Sequence, residues 1–155
     1  FEYDENGNIA KHSKVDENLL TQLNQISFYK KQPPKSLGTE WLEANFFPIL
    51  EQSNLKPEII IATCTKHFAQ QIALQFKVNS KILVTGGGAF NSYLISEIEK
   101  LTDSEIIIPE SELVDYKEAL IFAFLGILKI RNEINVLSSV TGAKKDHSSG
   151  RIFRV

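Results

Sequence analysis

Three consecutive glycines, Gly86, Gly87 and Gly88, are the residues of this sequence whose type and spacing best suit ligand binding. They follow an apolar stretch (81–85) typical of a β-strand and precede an amphipathic stretch (89–101) typical of a helix. Backbone without side chains at such a junction lets a phosphate or nucleoside approach closely, and a helix N-terminus adds N–H donors. A tight turn without a ligand would use the same residues.

The glycine pattern differs from the two common nucleotide-binding fingerprints. Asn91 stands where the dinucleotide motif has its third glycine. The Gly-Lys-Ser/Thr of a Walker loop does not follow either. A ligand at these glycines would therefore be bound by a different kind of loop.

The second candidate is the sequence Asp-Tyr-Lys-Glu at residues 115–118. Asp115 is predicted to begin a helix that continues to about residue 130 and is apolar nearly all round, which indicates a buried helix. Glu118 would then reach back to cap the helix, as in a capping box. The alternative is that Glu118 accepts hydrogen bonds from a polyol ligand. The residues alone favour the cap.

The histidines and the single cysteine carry no recognisable chemistry. His12, His67 and His147 are scattered, and we interpret each as solvated or structural. Cys64 lies on the apolar face of a predicted helix, with no activating partner in the sequence, and is interpreted as a core residue. No Cys/His cluster has the spacing of zinc ligands, so no metal site is predicted.

Composition limits the class of protein. The chain has 155 residues, 43% hydrophobic and 23% charged, with a net charge of −2, which is typical of one globular domain. Near-neutral charge argues against nucleic-acid binding. The longest apolar run (119–130) is too short to cross a bilayer, and no secretory signal is found, so we expect no membrane partner and a cytoplasmic location. Because the chain starts at Phe1 and contains no methionine, we expect a piece of a longer polypeptide.

The first half of the chain is predicted to be mainly helical. The first dozen residues suggest a hairpin or sheet edge turning at Gly7. Asp16 is predicted to cap a helix that ends before a loop at Pro33 and Pro34. A second helix starts near residue 39, with Pro48 as a kink or stop. Apolar residues at helical spacing predict a third helix over 57–76.

The second half is predicted to contain a parallel βαβ unit. Strand 81–85, helix 89–101 and strand 105–108 follow one another in the order that requires a crossover connection. The tail is loop-like, and residues 151–155 could form a last strand.

Four blocks in this order resemble the C-terminal portion of the anhydro-N-acetylmuramic acid kinase family. The blocks are Pro34-Lys35-Ser36-x-Gly38-x-Glu40, Gly86-Gly87-Gly88-Ala89-x-Asn91, Lys117-Glu118-Ala119-x-x-Phe122-Ala123 and Ser139-Val140-Thr141-Gly142-Ala143. The resemblance places the chain in the actin/hexokinase/heat-shock-protein superfamily. It implies an incomplete, ribonuclease-H-like α/β fold, helix-rich with a small mixed sheet that contains the βαβ unit. Residues 1–155 would be a single C-terminal nucleotide- and sugar-binding portion, without the N-terminal catalytic half.

The resemblance also implies an activity. The family hydrolyses the ring of 1,6-anhydro-N-acetylmuramic acid and phosphorylates the 6-hydroxyl with Mg²⁺ and ATP, in cell-wall recycling. By this resemblance Gly86, Gly87, Gly88 and Asn91 lie near the nucleotide, Glu118 lies near the sugar, and Lys117 is structural. The family's catalytic Asp and glycine-rich phosphate loop would precede Phe1, so no catalytic residue is assigned. The partners implied are the amino sugar, ATP, and either a second copy or the missing N-terminal half.

Two alternatives stay open at the level of sequence. Another sugar or polyol kinase of the superfamily would share the glycine loop but not the Lys-Glu-Ala and Thr-Gly-Ala blocks. A non-catalytic module would use its long helices for dimerisation, and its glycines would bind a nucleotide or only form a turn.

Overall fold

The computed structural model describes residues 3–32 and 35–153. Its described residues form α-helices and a small sheet, joined by 3-10 helices at Glu5–Gly7, Ser27–Lys30 and Gly87–Phe90. The helices are α1 (Asn8–Lys11), α2 (Glu17–Asn24), α3 (Thr39–Asn45), α4 (Phe47–Gln52), α5 (Pro57–Ala73), α6 (Ser92–Glu99), α7 (Ser111–Ile130) and α8 (Ser138–Thr141), and the strands are β1 (Lys81–Leu83) and β2 (Glu105–Ile107). The predicted helix-rich α/β class is confirmed.

The main hydrophobic core lies between α2, α4 and α5. Its buried side chains are those of Leu19, Leu23, Ile26 and Phe46. The predicted cap of α2 is confirmed, because the Asp16 carboxylate accepts a hydrogen bond from the Leu19 N–H at 2.8 Å.

Two prolines set helix boundaries around this core. Pro57 is the first residue of α5, as the sequence predicts, since a helix needs no N–H from its first residue. Pro48 lies in the first turn of α4, and α3 has already ended at Asn45. The predicted interruption of the helix is found, but it lies at Phe46, two residues before Pro48.

An ion pair joins the core to the second half of the chain. Lys66 of α5 donates to the buried Glu97 of α6 at 2.8 Å, and Lys100 contacts the other carboxylate oxygen. Burial raises the pKa of Glu97, but the hydrogen bonds from Lys100 and Lys66 outweigh burial and the net shift is downward. Glu97 thus fixes α6 against α5 in its charged form.

The βαβ unit is confirmed. β1 and β2 pair in parallel, with Lys81 opposite Glu105 and Leu83 opposite Ile107, and α6 connects them. Both strands are shorter than predicted. Among the described residues the sheet has these two strands only and is parallel, so the expectation of a mixed sheet is not met. The antiparallel pairing is an isolated bridge between Val136 and His147.

The N-terminal segment is helical, and the predicted hairpin or edge is wrong for residues 8–10. Asp4 explains the difference, because its carboxylate accepts hydrogen bonds from the N–H groups of Ile9 at 2.8 Å and Ala10 at 3.0 Å. A side chain that satisfies the free N–H groups of a first turn stabilises a helix over a strand. Phe1 and Glu2, which the hairpin also required, lie outside the described residues.

Helix α7 differs from its prediction in two ways. It begins at Ser111, four residues before Asp115, so Asp115 and Glu118 do not form a capping box. Val114 is the buried residue of α7, whereas most of its large apolar side chains are exposed. These exposed residues are Leu113, Tyr116, Leu120, Ile121, Phe122, Phe124, Ile127 and Ile130. Exposed apolar surface of this kind indicates that another protein surface covers α7. The contacts of α7 within the described residues do not identify that surface.

The C-terminal tail contains little regular structure. Residues 151–153 form no strand, and Arg154 and Val155 lie outside the described residues, so the last strand is not found in the described part of the tail. The tail folds back on the segment that follows α7, where Val136 and His147 form an isolated antiparallel β-bridge.

Candidate functional site

The three glycines form an open loop between β1 and α6. Gly86 has φ 87° and ψ 169°, a backbone conformation available to glycine and rare for other residues. A Cβ atom added to Gly86, Gly87 or Gly88 would meet no atom within 4 Å. The backbone of the loop therefore faces space that a ligand can enter.

The loop is not the first turn of α6. Gly87–Phe90 form a separate 3-10 helix, and α6 begins at Ser92, so the predicted start at Ala89 is wrong. The side chain of Asn91 caps α6 by accepting a hydrogen bond from the Leu94 N–H at 2.9 Å. Asn91 thus has a structural role at the position where the sequence predicts a nucleotide contact.

A groove of about 660 Å³ lies beside the glycine loop, within the size range of ligand pockets. One wall comes from the loop and the other from the N-terminal turn of residues 3–6, which we call the N-terminal wall. The groove is lined by Tyr3, Asp4, Glu5, Asn6, Gly87, Gly88, Phe90 and Asn91. Four of these residues lie on the loop side, and three of the four, Gly87, Gly88 and Asn91, belong to the predicted nucleotide site. The sequence did not predict the N-terminal wall.

Gly7 explains why the N-terminal wall lies here. Its φ is 73°, and a Cβ at this position would lie less than 3.0 Å from Asn91 Oδ1 and from Tyr93 Cβ. The Ser92 hydroxyl also donates to the Asn6 carbonyl at 3.3 Å. The signal in the sequence is the pair Asn6-Gly7, two residue types that tolerate positive φ. From the sequence, Gly7 alone is interpreted, as the turn of a hairpin or sheet edge.

Glu118 lies on the exposed surface of α7 and does not line the groove. Its neighbour Lys117 donates a hydrogen bond from Nζ to Thr85 Oγ1, one residue before the glycines. The same helix contacts the 3-10 helix of the loop. The structure therefore brings the helical turn that carries Glu118 close to the glycine loop, and Lys117 makes a structural contact there.

His67 and Cys64 lie in the core, away from the groove. His67 is fully buried, with hydrogen bonds at 2.8 Å to Tyr29 and Asn24, and burial lowers its pKa to about 4. Burial raises the pKa of the Cys64 thiol to about 11, so the reactive thiolate is disfavoured. Both residues are structural, as the sequence indicates.

Residues 35–40, the described part of the Pro34–Glu40 block, do not line the groove. Pro33 and Pro34 are outside the described residues. Lys35 donates to the carbonyls of Phe28 and Tyr29 at 3.3 and 3.4 Å, and its ammonium lies 5.1 Å from the centre of the Phe28 ring. These contacts attach the loop to the main core.

Across residues 3–32 and 35–153, no three His, Cys, Asp or Glu side chains come together as a metal site would require. In the same part of the chain, none of the helices combines the length and hydropathy needed to span a bilayer.

The family model and the curated proteins named below, which match this chain, all carry the same description. The family model described as anhydro-N-acetylmuramic acid kinase matches residues 1–155. Curated proteins of that name are similar to the chain in Francisella tularensis subsp. novicida (36% identity, 97% of the chain, 42% of the relative), Mannheimia succiniciproducens (35%, 97%, 44%) and Haemophilus influenzae (33%, 97%, 45%). The chain thus spans less than half the length of these relatives.

Proposed function

The chain belongs to the anhydro-N-acetylmuramic acid kinase family, and we propose that it is part of an ATP-dependent carbohydrate kinase. The complete enzyme would open the ring of 1,6-anhydro-N-acetylmuramic acid by hydrolysis and transfer a phosphoryl group to the 6-hydroxyl, in cell-wall recycling. The observation that carries this proposal is the match of the family model over residues 1–155. The other sugar kinases and the non-catalytic module have no comparable support.

We assign the chain to the C-terminal portion of a ribonuclease-H-like enzyme. In this assignment residues 1–155 form a single nucleotide- and sugar-binding unit, and the catalytic half lies outside the chain. The parallel β1-α6-β2 unit with the glycine loop at the end of β1 supports it, because ligands of α/β folds bind at the carboxyl ends of parallel strands.

Gly86, Gly87, Gly88 and Asn91 are the proposed nucleotide contacts. The open space in front of the three glycines suits ATP, because phosphate or ribose can approach a backbone that has no side chains. The role of this loop would be to bind and orient the nucleotide. Phosphoryl transfer depends mainly on such positioning and on charge neutralisation.

Glu118 is the proposed sugar contact. Its carboxylate can accept hydrogen bonds from sugar hydroxyls, and Lys117 holds this part of α7 near the glycine loop through Thr85. The base that activates the attacking water would come from an Asp outside this chain. Mg²⁺ would neutralise phosphate charge; because the described residues gather no metal-binding cluster, we assign none of them to the ion.

We further propose that α7 is covered in the complete enzyme, by the remaining half of the protein or by a second copy in a homodimer. The exposed apolar side chains of α7 support this, since contiguous apolar patches on soluble proteins mark interaction surfaces. The proposed location is the cytoplasm, where ATP and the recycled sugar would meet.

Replacing Gly87 by Val tests the nucleotide site. A branched side chain would fill the space in front of the loop, so titration of this chain with Mg-ATP by calorimetry should show binding in the unchanged chain and none in Gly87→Val. Gly126→Val is the matched control, because Gly126 also has open space around it but lies on α7 away from the groove. Equal ATP affinity of Gly87→Val and the unchanged chain would contradict the nucleotide assignment.

A further inference from the structure

We propose that a second cavity, at the other end of α6 from the glycine loop, binds an uncharged small molecule that carries a secondary amide beside an apolar group. The cavity has a volume of about 450 Å³, within the size range of ligand pockets. It is lined by Asn24, Gln70, Gln71, Ala73, Leu74 and Leu101. We call this cavity the amide pocket. The inference goes beyond the proposed function and does not depend on it.

The position of the amide pocket in the fold separates it from the groove beside the glycine loop. Asn91, immediately before α6, lines the groove, whereas Leu101, two residues after the end of α6, lines the amide pocket. The helix between them has 8 residues and is about 12 Å long. The two cavities share no lining residue, so they are separate sites.

The polar side of the amide pocket consists of three amide side chains that hydrogen bonds hold in place. Asn24 Nδ2 donates to Gln70 Oε1 at 2.7 Å, and Gln71 Nε2 donates to Asn24 Oδ1 at 2.9 Å. The same Asn24 oxygen lies 2.8 Å from Nδ1 of His67, which is fully buried. Amides fixed in this way lose less side-chain entropy on binding a ligand than mobile surface side chains do.

The remaining hydrogen-bonding groups of these amides indicate the chemistry of the ligand. Gln70 Nε2 and Gln71 Oε1 make no hydrogen bond within the part of the chain that the structure describes. An amide nitrogen donates and an amide oxygen accepts, so this pair matches the C=O and the N–H of a secondary amide. None of the six lining side chains is ionisable. This favours an uncharged ligand, because an ion would lose hydration without meeting an opposite charge.

The apolar side of the amide pocket carries two leucines that are open to solvent. Leu74 is 72% exposed and Leu101 is 42% exposed, and both line the cavity together with Ala73. An apolar group next to the amide of the ligand would remove part of this leucine surface from water, which favours binding.

The test is an NMR titration of this chain, isotope-labelled, with N-acetyl-leucine N-methylamide, an uncharged molecule with secondary amides and an isobutyl group. We expect saturable shifts of the side-chain amide signals of Asn24, Gln70 and Gln71. The expected Kd is on the order of 1 mM, the affinity typical of a molecule of this size. Isobutyl acetate, which keeps the isobutyl group and a carbonyl but has no N–H, should bind about tenfold more weakly or not at all.

Two substitutions test the two sides of the pocket. Gln70→Leu removes the free donor at similar volume and should weaken binding of N-acetyl-leucine N-methylamide about tenfold. Leu74→Ser removes exposed apolar surface and should also weaken binding, and the helices should persist because Leu74 is mostly exposed. Gln52→Leu is the matched control, since Gln52 is an exposed glutamine of α4 that does not line the pocket. Circular dichroism checks that each variant is folded.

Three results would overturn the inference. The first is the absence of saturable shifts at the three amides, and the second is an unchanged Kd in folded Gln70→Leu. If Gln70→Leu does not fold, an unchanged Kd in Leu74→Ser has the same consequence. Loss of the nucleotide assignment in the Gly87→Val experiment would leave this inference in place, because the two sites share no lining residue.

Discussion

The role that can be assigned to Glu118 depends on where its helix begins. As the third residue after a helix start it would be a cap, but α7 begins at Ser111, so Glu118 lies in the helix interior on an exposed surface. A capping role is thereby excluded. The sugar contact remains a proposal, and it can be separated from a stabilising role.

Glu118→Gln in the complete enzyme should lower kcat/KM by roughly tenfold to a hundredfold, the usual loss when a hydrogen bond to a charged group is weakened. In the 155-residue chain, the same substitution should change the free energy of unfolding by less than about 0.5 kcal/mol, because the Glu118 side chain is exposed there. Steady-state kinetics and thermal unfolding measure the two effects. Glu112→Gln, an exposed position of the same helix, is the matched control. Kinetics equal to those of the unchanged enzyme would rule out the sugar contact.

At the scale of elements, a network of polar side chains around the buried His67 joins α2, α5 and the 3-10 helix at Ser27–Lys30. Asn24 Oδ1 accepts from Gln71 at 2.9 Å and from His67 Nδ1 at 2.8 Å, which assigns the imidazole hydrogen to Nδ1. His67 Nε2 then accepts from the Tyr29 hydroxyl at 2.8 Å. The network satisfies His67 in its neutral form, and burial disfavours its charged form.

This network predicts a pH dependence of stability. The pKa of His67 is about 4 in the folded chain against 6.5 for an ordinary histidine, so between these values protons bind the unfolded chain preferentially. The free energy of unfolding should therefore fall as pH decreases from about 6.5 towards 4, by up to roughly 1.4 kcal/mol per pH unit from this residue. Urea unfolding at several pH values measures the slope.

His67→Gln should flatten that slope, with His12→Gln as the control that removes an exposed histidine instead. Glu97 acts in a lower window: its pKa is lowered, so its contribution is present above the ordinary glutamate value and is lost as pH falls through the folded value. An undiminished slope in His67→Gln between pH 6.5 and 4 would contradict the role of the network.

Elements with strong local signals could be predicted, and those that depend on distant partners could not. Helix α5 was predicted from its periodicity and Pro57, and the βαβ unit from its order of strands and helix. The exposure of α7 was missed, because hydrophobicity reports how much surface a helix tends to bury and not what covers it. The N-terminal wall was missed because Gly7 contacts residues more than eighty positions later.

At the scale of the whole molecule, the described elements differ in how much of their apolar surface they bury. The core around α2 and α5 buries Leu19, Leu23 and Phe46, and the ion pair of Glu97 with Lys66 joins α6 to α5. The two-stranded sheet and α7 leave apolar side chains such as Leu83 and Phe122 exposed. A parallel pair of strands alone is marginally stable. This half of the chain is therefore where we expect the remainder of the enzyme to pack.

The same division predicts that the isolated chain has no kinase activity. It spans 42% to 45% of the length of the three relatives named above, and its proposed contacts bind the nucleotide and the sugar without supplying the base that activates water. Purified chain with Mg-ATP and anhydro-N-acetylmuramic acid should give no 6-phosphate by mass spectrometry, and the Francisella tularensis relative is the positive control. Turnover of about 1 per second or faster, typical of kinases, would show that this chain contains catalytic residues that we have not assigned.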